Sequence, residues 1–115
     1  SLTGAGVTQG AGTVDAGAST ISINGGGSAV SLSGSLTTTN ATGAAVAVTN
    51  ATTLQIGNIT AGNGGTVTLT HSSAGTQAGA TTITGTGVAL NKQGAGTLTL
   101  SNANTYTGAT SINAG

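Results

Sequence analysis

The side chains that could carry out acid–base or nucleophilic chemistry are few in this sequence. It contains a single acidic side chain, Asp15, a single lysine, Lys92, and a single histidine, His71. Hydrolysis by paired carboxylates needs two such groups in one site, so the composition excludes it. Cysteine is absent, which excludes thiol nucleophiles, thiolate metal sites and disulfides. We therefore expect no catalytic residue, no metal site and no cofactor.

A serine could act as a nucleophile only if the fold brought His71 and Asp15 together beside it. These two residues are 56 positions apart. In the coiled fold predicted below, that distance corresponds to about two and a half turns and at least roughly 10 Å along the axis. Hydrogen-bond contact between them is excluded on this basis, and with it a Ser-His-Asp triad.

His71 and Lys92 form the second candidate pair. They are 21 positions apart, and each follows an apolar strand position by two residues, as Asn50 also does. The spacing predicts one column on adjacent turns of the coil. A weak anion contact is one interpretation of the pair. A solvated corner is the other, and it is favoured because two isolated cations make a poor binding site.

Three further patterns have ordinary explanations. The Asn-x-Thr triplets match the glycosylation acceptor pattern, but Asn and Thr are so abundant here that chance explains them better. The glycine run Gly25–Gly27 lacks the strand-to-helix context of a phosphate-binding loop, and we predict a turn. Tyr106 is expected to pack at a corner without binding a ligand.

The charge composition limits the possible partners. Charged residues make up 2% of the chain and the net charge is zero. A protein that binds nucleic acid or anionic lipid through a basic patch needs several Lys or Arg residues, so neither partner is expected. No apolar run approaches the roughly 20 residues that a membrane-spanning helix needs, so we expect no membrane insertion.

The elements that position these residues are short β-strands. Gly occurs 22 times, Pro is absent, and no stretch shows the apolar spacing of a helix. Apolar residues alternate with polar ones in segments such as Ile21–Ile23 and Val67–Leu69, between clusters of Gly, Asn, Ser and Ala. A disordered chain is the alternative, but this chain is neutral and rich in Thr and Val, which favour strands.

The same strand position recurs along the chain at a nearly constant interval. The intervals are 21, 25, 21, 21 and 22 residues, and the predicted inward core column is Leu2, Ile23, Val48, Leu69, Leu90 and Ile112. A period near 22 predicts an all-β fold, a β-solenoid of about five rungs with like residues stacked in columns.

The residue after each of these apolar positions is always Thr or Asn. The resulting ladder is Thr3, Asn24, Thr49, Thr70, Asn91 and Asn113. Asn tolerates the left-handed backbone of corners, and stacked Asn side chains can hydrogen-bond each other, so we predict a structural turn ladder. Chance in a chain rich in Thr and Asn remains an open alternative.

The C-terminal stretch, residues 92–115, carries a specific motif. Its fixed positions are Lys92, Gly94, Gly96, Leu98, Leu100, Ser101, Asn104, Tyr106, Gly108, Thr110, Ile112 and Gly115. The stretch resembles the passenger-associated transport repeat of bacterial autotransporters, with Asn102 at a position where Gly is usual. The resemblance implies a right-handed parallel β-helix in a passenger exported to the surface of a Gram-negative bacterium.

The expected function is that of a structural or adhesive element, a rigid stalk without chemistry of its own. We expect one solenoid segment over residues 1–115, which belongs to a longer or tandemly repeated passenger because Gly115 followed by Ser1 would continue the family pattern. Expected partners are the same solenoid end to end, either as another copy or as the continuing chain, and a glycan or host-surface ligand.

Ice binding is the alternative function. A flat ice-binding face needs Thr-x-Thr tracts at the rung period on one side of the solenoid. The tracts here begin 29, 31 and 8 residues apart, so the pattern supports this function weakly. They are Thr37–Thr39, Thr66–Thr68, Thr97–Thr99 and Thr105–Thr107.

Overall fold

The computed structural model describes all residues, 1–115, and its regular structure consists of thirteen β-strands. Every strand pair is parallel. The chain winds as a β-solenoid of about five rungs, which confirms the predicted all-β solenoid. It contains no helix that is long and apolar enough to cross a membrane.

Each rung places strands on up to three faces, and like strands stack on one another. The first face stacks β1 (Leu2–Thr3), the first half of β4 (Ile21–Leu32), the first half of β6 (Val46–Ile56), β8 (Thr66–His71), β11 (Ala89–Gln93) and β13 (Thr110–Ile112). The second face stacks β2 (Val7–Gln9), the second halves of β4 and β6, β9 (Gly75–Gln77) and β12 (Leu98–Thr99). The third face stacks β3 (Thr13–Asp15), β5 (Ser35–Thr37), β7 (Asn58–Thr60) and β10 (Ile83–Thr84).

The register on the first face agrees with the predicted core column over its first four members. Leu2 pairs with Ile23, Ile23 with Val48, and Val48 with Leu69. Of these four, the three interior members are fully buried. Leu2 lies at the open N-terminal end and is 42% exposed.

The predicted column is wrong at Leu90. Leu90 pairs with Val67 and Thr110, whereas Lys92 pairs with both Leu69 and Ile112. The step from Leu69 to its partner is therefore 23 residues instead of 21. The aliphatic stem of a lysine can occupy an apolar column if its ammonium group reaches polar partners, and sequence spacing did not show that possibility. Ile112 is in the column but is 68% exposed at the C-terminal end.

The predicted turn ladder is correct in its first part and displaced in its second. Thr3 pairs with Asn24, and Asn24 pairs with Thr49. Thr70 then pairs with Gln93, and Asn91 pairs with Thr68. The cause is the same step of 23 residues, two more than predicted, that displaces Leu90. The backbone partner of Asn91 in the next rung is Ser111, two residues before Asn113. Nδ2 of Asn113 nevertheless donates to Oδ1 of Asn91 at 2.6 Å.

A corner asparagine outside the predicted ladder also contributes to it. Asn50 has the left-handed φ of 51° and donates from Nδ2 to Oδ1 of Asn24 at 3.2 Å. Which asparagine amides contact each other therefore depends on the shape of the corner and not on which residues pair in the strands.

The core is a narrow interior filled by aliphatic side chains from all three faces. Eighteen buried residues form one cluster, and all are Ile, Leu, Val or Ala. The third face contributes Leu36, Ile59 and Ile83, which stack directly on one another. Because each rung supplies few apolar atoms, the core is continuous only through the columns.

Glycine is required at the corner between the second and third faces. A Cβ on Gly34 would collide with the carbonyl oxygen of Gly12, and a Cβ on Gly57 would collide with that of Gly34. The backbone of one rung therefore lies directly against the backbone of the next, and any side chain would push the rungs apart.

Candidate functional site

The single lysine and the single histidine of the chain lie in its C-terminal rungs. Lys92 lies on the first face, and His71 lies at the end of β8 where the first face meets the next corner. Their side chains are 3% and 1% exposed. Both are therefore interior groups, and their hydrogen bonds decide what they can do.

The ammonium group of Lys92 donates to three backbone carbonyl oxygens. Nζ lies 2.9 Å from the oxygen of Gln93, 2.7 Å from that of Gly94 and 3.0 Å from that of Ala114. An ammonium group has three hydrogens, so its donors are fully used. Two of the acceptors belong to its own rung and the third belongs to the next. Lys92 thus joins two rungs from inside, although burial lowers its pKa from the ordinary value.

The imidazole of His71 packs against glycine backbone. Its Nδ1 lies 2.8 Å from the carbonyl oxygen of Ser73, which assigns the proton to Nδ1. Its Nε2 is buried without a hydrogen-bond partner. A Cβ on Gly75 would lie 2.7 Å from that Nε2, and one on Gly96 would lie 2.6 Å from Nδ1. The ring therefore fills space that two glycines leave open.

Burial lowers the pKa of His71 below the ordinary value of 6.5, and the charge of Lys92 lowers it further, while the hydrogen bond to Ser73 opposes the shift. The neutral ring is therefore the form that fits the folded chain. A proton on Nε2 would place a second cation in the interior near Lys92.

The predicted column of His71, Lys92 and Asn50 is wrong. His71 pairs with Ala51, and Lys92 pairs with Leu69. Neither a solvated corner nor an anion contact fits two side chains that are buried and turned inward. Asp15 is exposed on the third face of the first rung, so the structure brings no carboxylate to His71.

A second polar cluster in these rungs consists of three amide side chains. Gln77 occupies an inward position where Ile56, its partner in the rung below, is apolar. Its Nε2 donates to Oδ1 of Asn104 at 2.6 Å, and its Oε1 accepts from the backbone nitrogen of Asn102 at 3.2 Å. We call Gln77, Asn102 and Asn104 the amide cluster.

The amide cluster joins the last loop to the rung below it. Oδ1 of Asn104 accepts from the backbone nitrogen of Ile83 at 2.8 Å. Nδ2 of Asn102 donates to the carbonyl oxygens of Ala78 at 2.7 Å and Thr81 at 3.0 Å. Residues 100–109 contain no strand, and these side chains add to the backbone hydrogen bonds that Thr105, Tyr106, Thr107 and Gly108 donate to the rung below.

Sequence reasoning assigned no role to the amide cluster. Asn102 and Asn104 stand out in the sequence only as motif positions, and Gln77 does not stand out. One signal could have revealed it: Gln77 lies 21 residues after Ile56, so a long amide occupies a position where the period predicts an apolar residue.

The glycines of the motif allow close approach between rungs. A Cβ on Gly94 would collide with the carbonyl oxygen of His71, and one on Gly96 with that of Ser73. A Cβ on Gly108 would lie 2.5 Å from the carbonyl oxygen of Val88. Tyr106, predicted to pack at a corner, packs against the core, and its hydroxyl lies 2.8 Å from Oγ1 of Thr110. The fixed residues of the motif are therefore those that seat one rung on another.

The third face carries a regular outer surface. Its strands align two outward columns, which are Thr13, Ser35 and Asn58, and Asp15, Thr37, Thr60 and Thr84. Thr82 continues the first column, and its backbone nitrogen donates to Oδ1 of Asn58 at 3.0 Å. Beside them runs a groove of about 510 Å³ bordered by Thr37, Thr39, Thr60 and Asn63 among others. This face therefore presents hydroxyl and amide groups to solvent beside a groove.

The free energy of unfolding should depend on pH through the protonation of His71. Because its folded pKa is lowered, the unfolded chain binds more protons, and the free energy of unfolding should fall as the pH is lowered from about 7.5 through 6.5 and towards the folded pKa. Urea unfolding between pH 5 and 7.5 measures this. The variant His71→Gln, which cannot titrate, should show a flat profile in that range, and a slope equal to that of the wild type would contradict the assignment.

The amide cluster should contribute measurably to stability. Replacing Asn104 with alanine leaves the backbone nitrogen of Ile83 and the amide of Gln77 without their partner, which should cost about 1–3 kcal/mol of unfolding free energy. The matched control is Asn63→Ala, because Asn63 is exposed and its loss should change stability by less than about 0.5 kcal/mol. Equal effects of the two substitutions, measured by urea unfolding, would rule out a structural role for the cluster.

Comparison with known proteins agrees with this description of the C-terminal rungs. No curated protein and no solved structure matches the chain. Residues 90–115, which contain Lys92, the motif glycines and two members of the amide cluster, match the family model described as the passenger-associated-transport-repeat.

Proposed function

We propose that this chain is a rigid structural segment of an autotransporter passenger, which holds uncharged, hydroxyl-rich faces at a fixed spacing on the surface of a Gram-negative bacterium. The match of residues 90–115 to a transport repeat implies a secreted or surface-exposed protein. The observation that carries the proposal is the continuous stack of parallel rungs, joined from inside by Lys92 and the amide cluster.

Rigidity follows from the way the rungs are connected. Successive rungs share backbone hydrogen bonds on several faces, and glycine corners hold them in contact. Bending the stack would lengthen hydrogen bonds on one face and press backbone atoms together on another. The expected role is therefore that of a spacer whose length is fixed by its number of rungs.

Spin-label distances test the spacer. Thr8, Ser31, Gln55, Thr76 and Thr99 form one outward column, and the chain has no cysteine that would compete for labels. Labels at Thr8→Cys and Thr99→Cys are four rung steps apart, roughly 19 Å at about 4.8 Å a step, and should give one narrow distance distribution.

The control pair is Thr8→Cys and Thr76→Cys, whose mean distance should be shorter by one step of about 4.8 Å. Broad distributions, or equal means for the two pairs, would show that the segment is not a rigid spacer.

Adhesion is the finer part of the proposal. Hydroxyl and amide groups on the third face can hydrogen-bond the hydroxyls of a neutral glycan, and the adjacent groove can receive a sugar ring. Each contact is weak, so affinity would come from many copies displayed together.

Ice binding is the second candidate, and one observation favours it. The four Thr-x-Thr tracts do not share a face, because Thr66–Thr68 lies on the first face and Leu98–Thr99 on the second. The third face nevertheless aligns two hydroxyl-rich columns at the rung period. Asp15 and Asn58 interrupt the threonine columns. The hydroxyl oxygens of Thr82 and Thr84 lie 3.1 Å apart and hydrogen-bond each other, so they are less available to ice. We therefore rank ice binding below glycan binding.

One variant distinguishes the two candidates. Thr60 is exposed in the middle of the third face, and Thr60→Lys should abolish whichever activity that face has. We expect beads that carry many copies of the wild-type chain to bind a neutral polysaccharide, and beads that carry Thr60→Lys to bind at least tenfold less of it. We expect no thermal hysteresis from either protein. The control Thr76→Lys, on the second face, should bind like the wild type. Thermal hysteresis lost only in Thr60→Lys would instead support ice binding, and the absence of both activities would remove the adhesive role.

A further inference from the structure

The imidazole of His71 is covered by a short corner of the next rung. This corner, Gly94–Gly96, connects β11 to β12. The backbone nitrogen of Gly96 donates to the carbonyl oxygen of His71 at 3.1 Å, and a Cβ on Gly94 would collide with that same oxygen. The corner therefore lies directly against His71, and its two glycines allow the close approach.

The corner is attached less firmly than the strands on either side of it. β11 pairs with β8 over five residues, and β12 pairs with β9 over two. Towards the rung below, the corner itself contributes one backbone hydrogen bond, from Gly96 to His71. Gly94 has a φ of 78°, and glycine changes its backbone dihedral angles at little steric cost. The corner can therefore move while both adjoining strands keep their partners.

Protonation of His71 would give its Nε2 a hydrogen that finds no acceptor in the closed interior. Nδ1 already lies against the carbonyl oxygen of Ser73, and Nε2 is buried without a partner. A Cβ on Gly75 would lie 2.7 Å from Nε2 and 3.0 Å from Cδ1 of Leu98, so an aliphatic side chain lies close to this nitrogen. A buried, charged N–H is costly unless it is hydrogen-bonded.

The neighbouring strands offer no negative charge to offset that proton. β6 and β11 pair with β8, while Gly75 of β9 and Leu98 of β12 lie beside the ring. The one titratable side chain on these four strands is Lys92, a cation. Asp15 is exposed in the first rung. Burial lowers the pKa of His71 and the charge of Lys92 lowers it further, so the closed corner favours the neutral ring.

Solvent reaches the outer side of the same corner. A groove of about 340 Å³ lies there, bordered by Asn50, Thr70, Ser72 and Gly94 among others. Gly94 thus belongs both to the wall of the groove and to the cover over His71. An outward movement of the corner would connect the groove with the interior.

We propose that Gly94–Gly96 is an acid-sensitive gate, which moves outward when His71 gains its second ring proton and admits water to Nε2, while β8, β9, β11 and β12 remain paired. Water then accepts the hydrogen bond that the closed interior withholds. The groups that form the gate lie within residues 50–98, so it operates between two rungs inside the stack. The response to acid is local and is distinct from unfolding of the whole chain.

The size of the response follows from the proton affinity of the open form. In the open form the ring contacts water and has the ordinary pKa of 6.5. The closed form has a lower pKa, so it is most stable above pH 6.5 and loses stability as the pH falls towards that lower value. Opening should become about tenfold more favourable between pH 7.5 and 5.5 if the closed ring stays neutral, and about threefold if it takes up the proton partway.

Hydrogen exchange of two backbone amides tests the gate. The amide of Gly96 reports on the corner, and that of Ala89, which donates to the carbonyl oxygen of Gly65, reports on the adjoining strands. Rates are divided by those of an unstructured peptide at the same pH. The protection of Gly96 should fall about three- to tenfold from pH 7.5 to 5.5 and should be at least about tenfold lower than that of Ala89 at either pH.

Urea separates the gate from unfolding of the whole chain. A small opening exposes little surface, so low concentrations of urea should leave the protection of Gly96 unchanged and reduce that of Ala89. Protection of Gly96 that does not change with pH would overturn the proposal. Protection equal to that of Ala89 at every urea concentration would overturn it as well.

Two variants identify the titrating group. His71→Gln has no ring to protonate, so the protection of Gly96 should stay constant between pH 7.5 and 5.5. The matched control is Asp15→Asn, which removes the exposed carboxylate, keeps the Oδ1 that accepts from the backbone nitrogen of Gly17, and should behave like the wild type. A fall in His71→Gln equal to that of the wild type would contradict the gate. Circular dichroism verifies that each variant is folded, and the wild-type comparison of Gly96 with Ala89 needs no variant.

Discussion

The structure depends on contact between the backbones of successive rungs. Parallel strands stack at about 4.8 Å, and at the corners this spacing leaves no room for a Cβ atom, as Gly34 and Gly57 show. The glycine content of the chain therefore has a definite role at these positions. Where side chains do occupy the interior, each must fit the residue directly above and below it, and the apolar cluster is built from Ile, Leu, Val and Ala.

Polar side chains inside the stack also help to hold successive rungs in contact. The loop of residues 100–109 forms no strand, and its backbone donors to the rung below are Thr105, Tyr106, Thr107 and Gly108. The amide cluster adds side-chain hydrogen bonds to that rung through Asn102 and Asn104, and Lys92 donates to three carbonyl oxygens near the C-terminus. A buried polar group is costly unless it is hydrogen-bonded. In these rungs the interior polar side chains complete the backbone hydrogen bonding where the strand pattern fails, with Nε2 of His71 as the exception.

The sequence was sufficient for the fold and insufficient for the register of the last rungs. Alternation and the period near 22 predicted the stacked strands, because every column repeats the same apolar requirement. Leu90 was misplaced because a rung can gain two residues at a corner without changing its strands, and because Lys92 looks polar while its stem behaves as an apolar residue. The amide cluster was not predicted because its three members come from two rungs, and hydrogen bonds between them depend on loop conformation, which has no period.

The burial of Lys92 has a consequence for the outer surface. With that ammonium group inside and His71 neutral, Asp15 is the only charged side chain that faces solvent. Dissolved salt acts mainly by screening exposed charges, and this surface offers almost none to screen. Contacts made through its hydroxyl and amide groups should therefore change little with ionic strength.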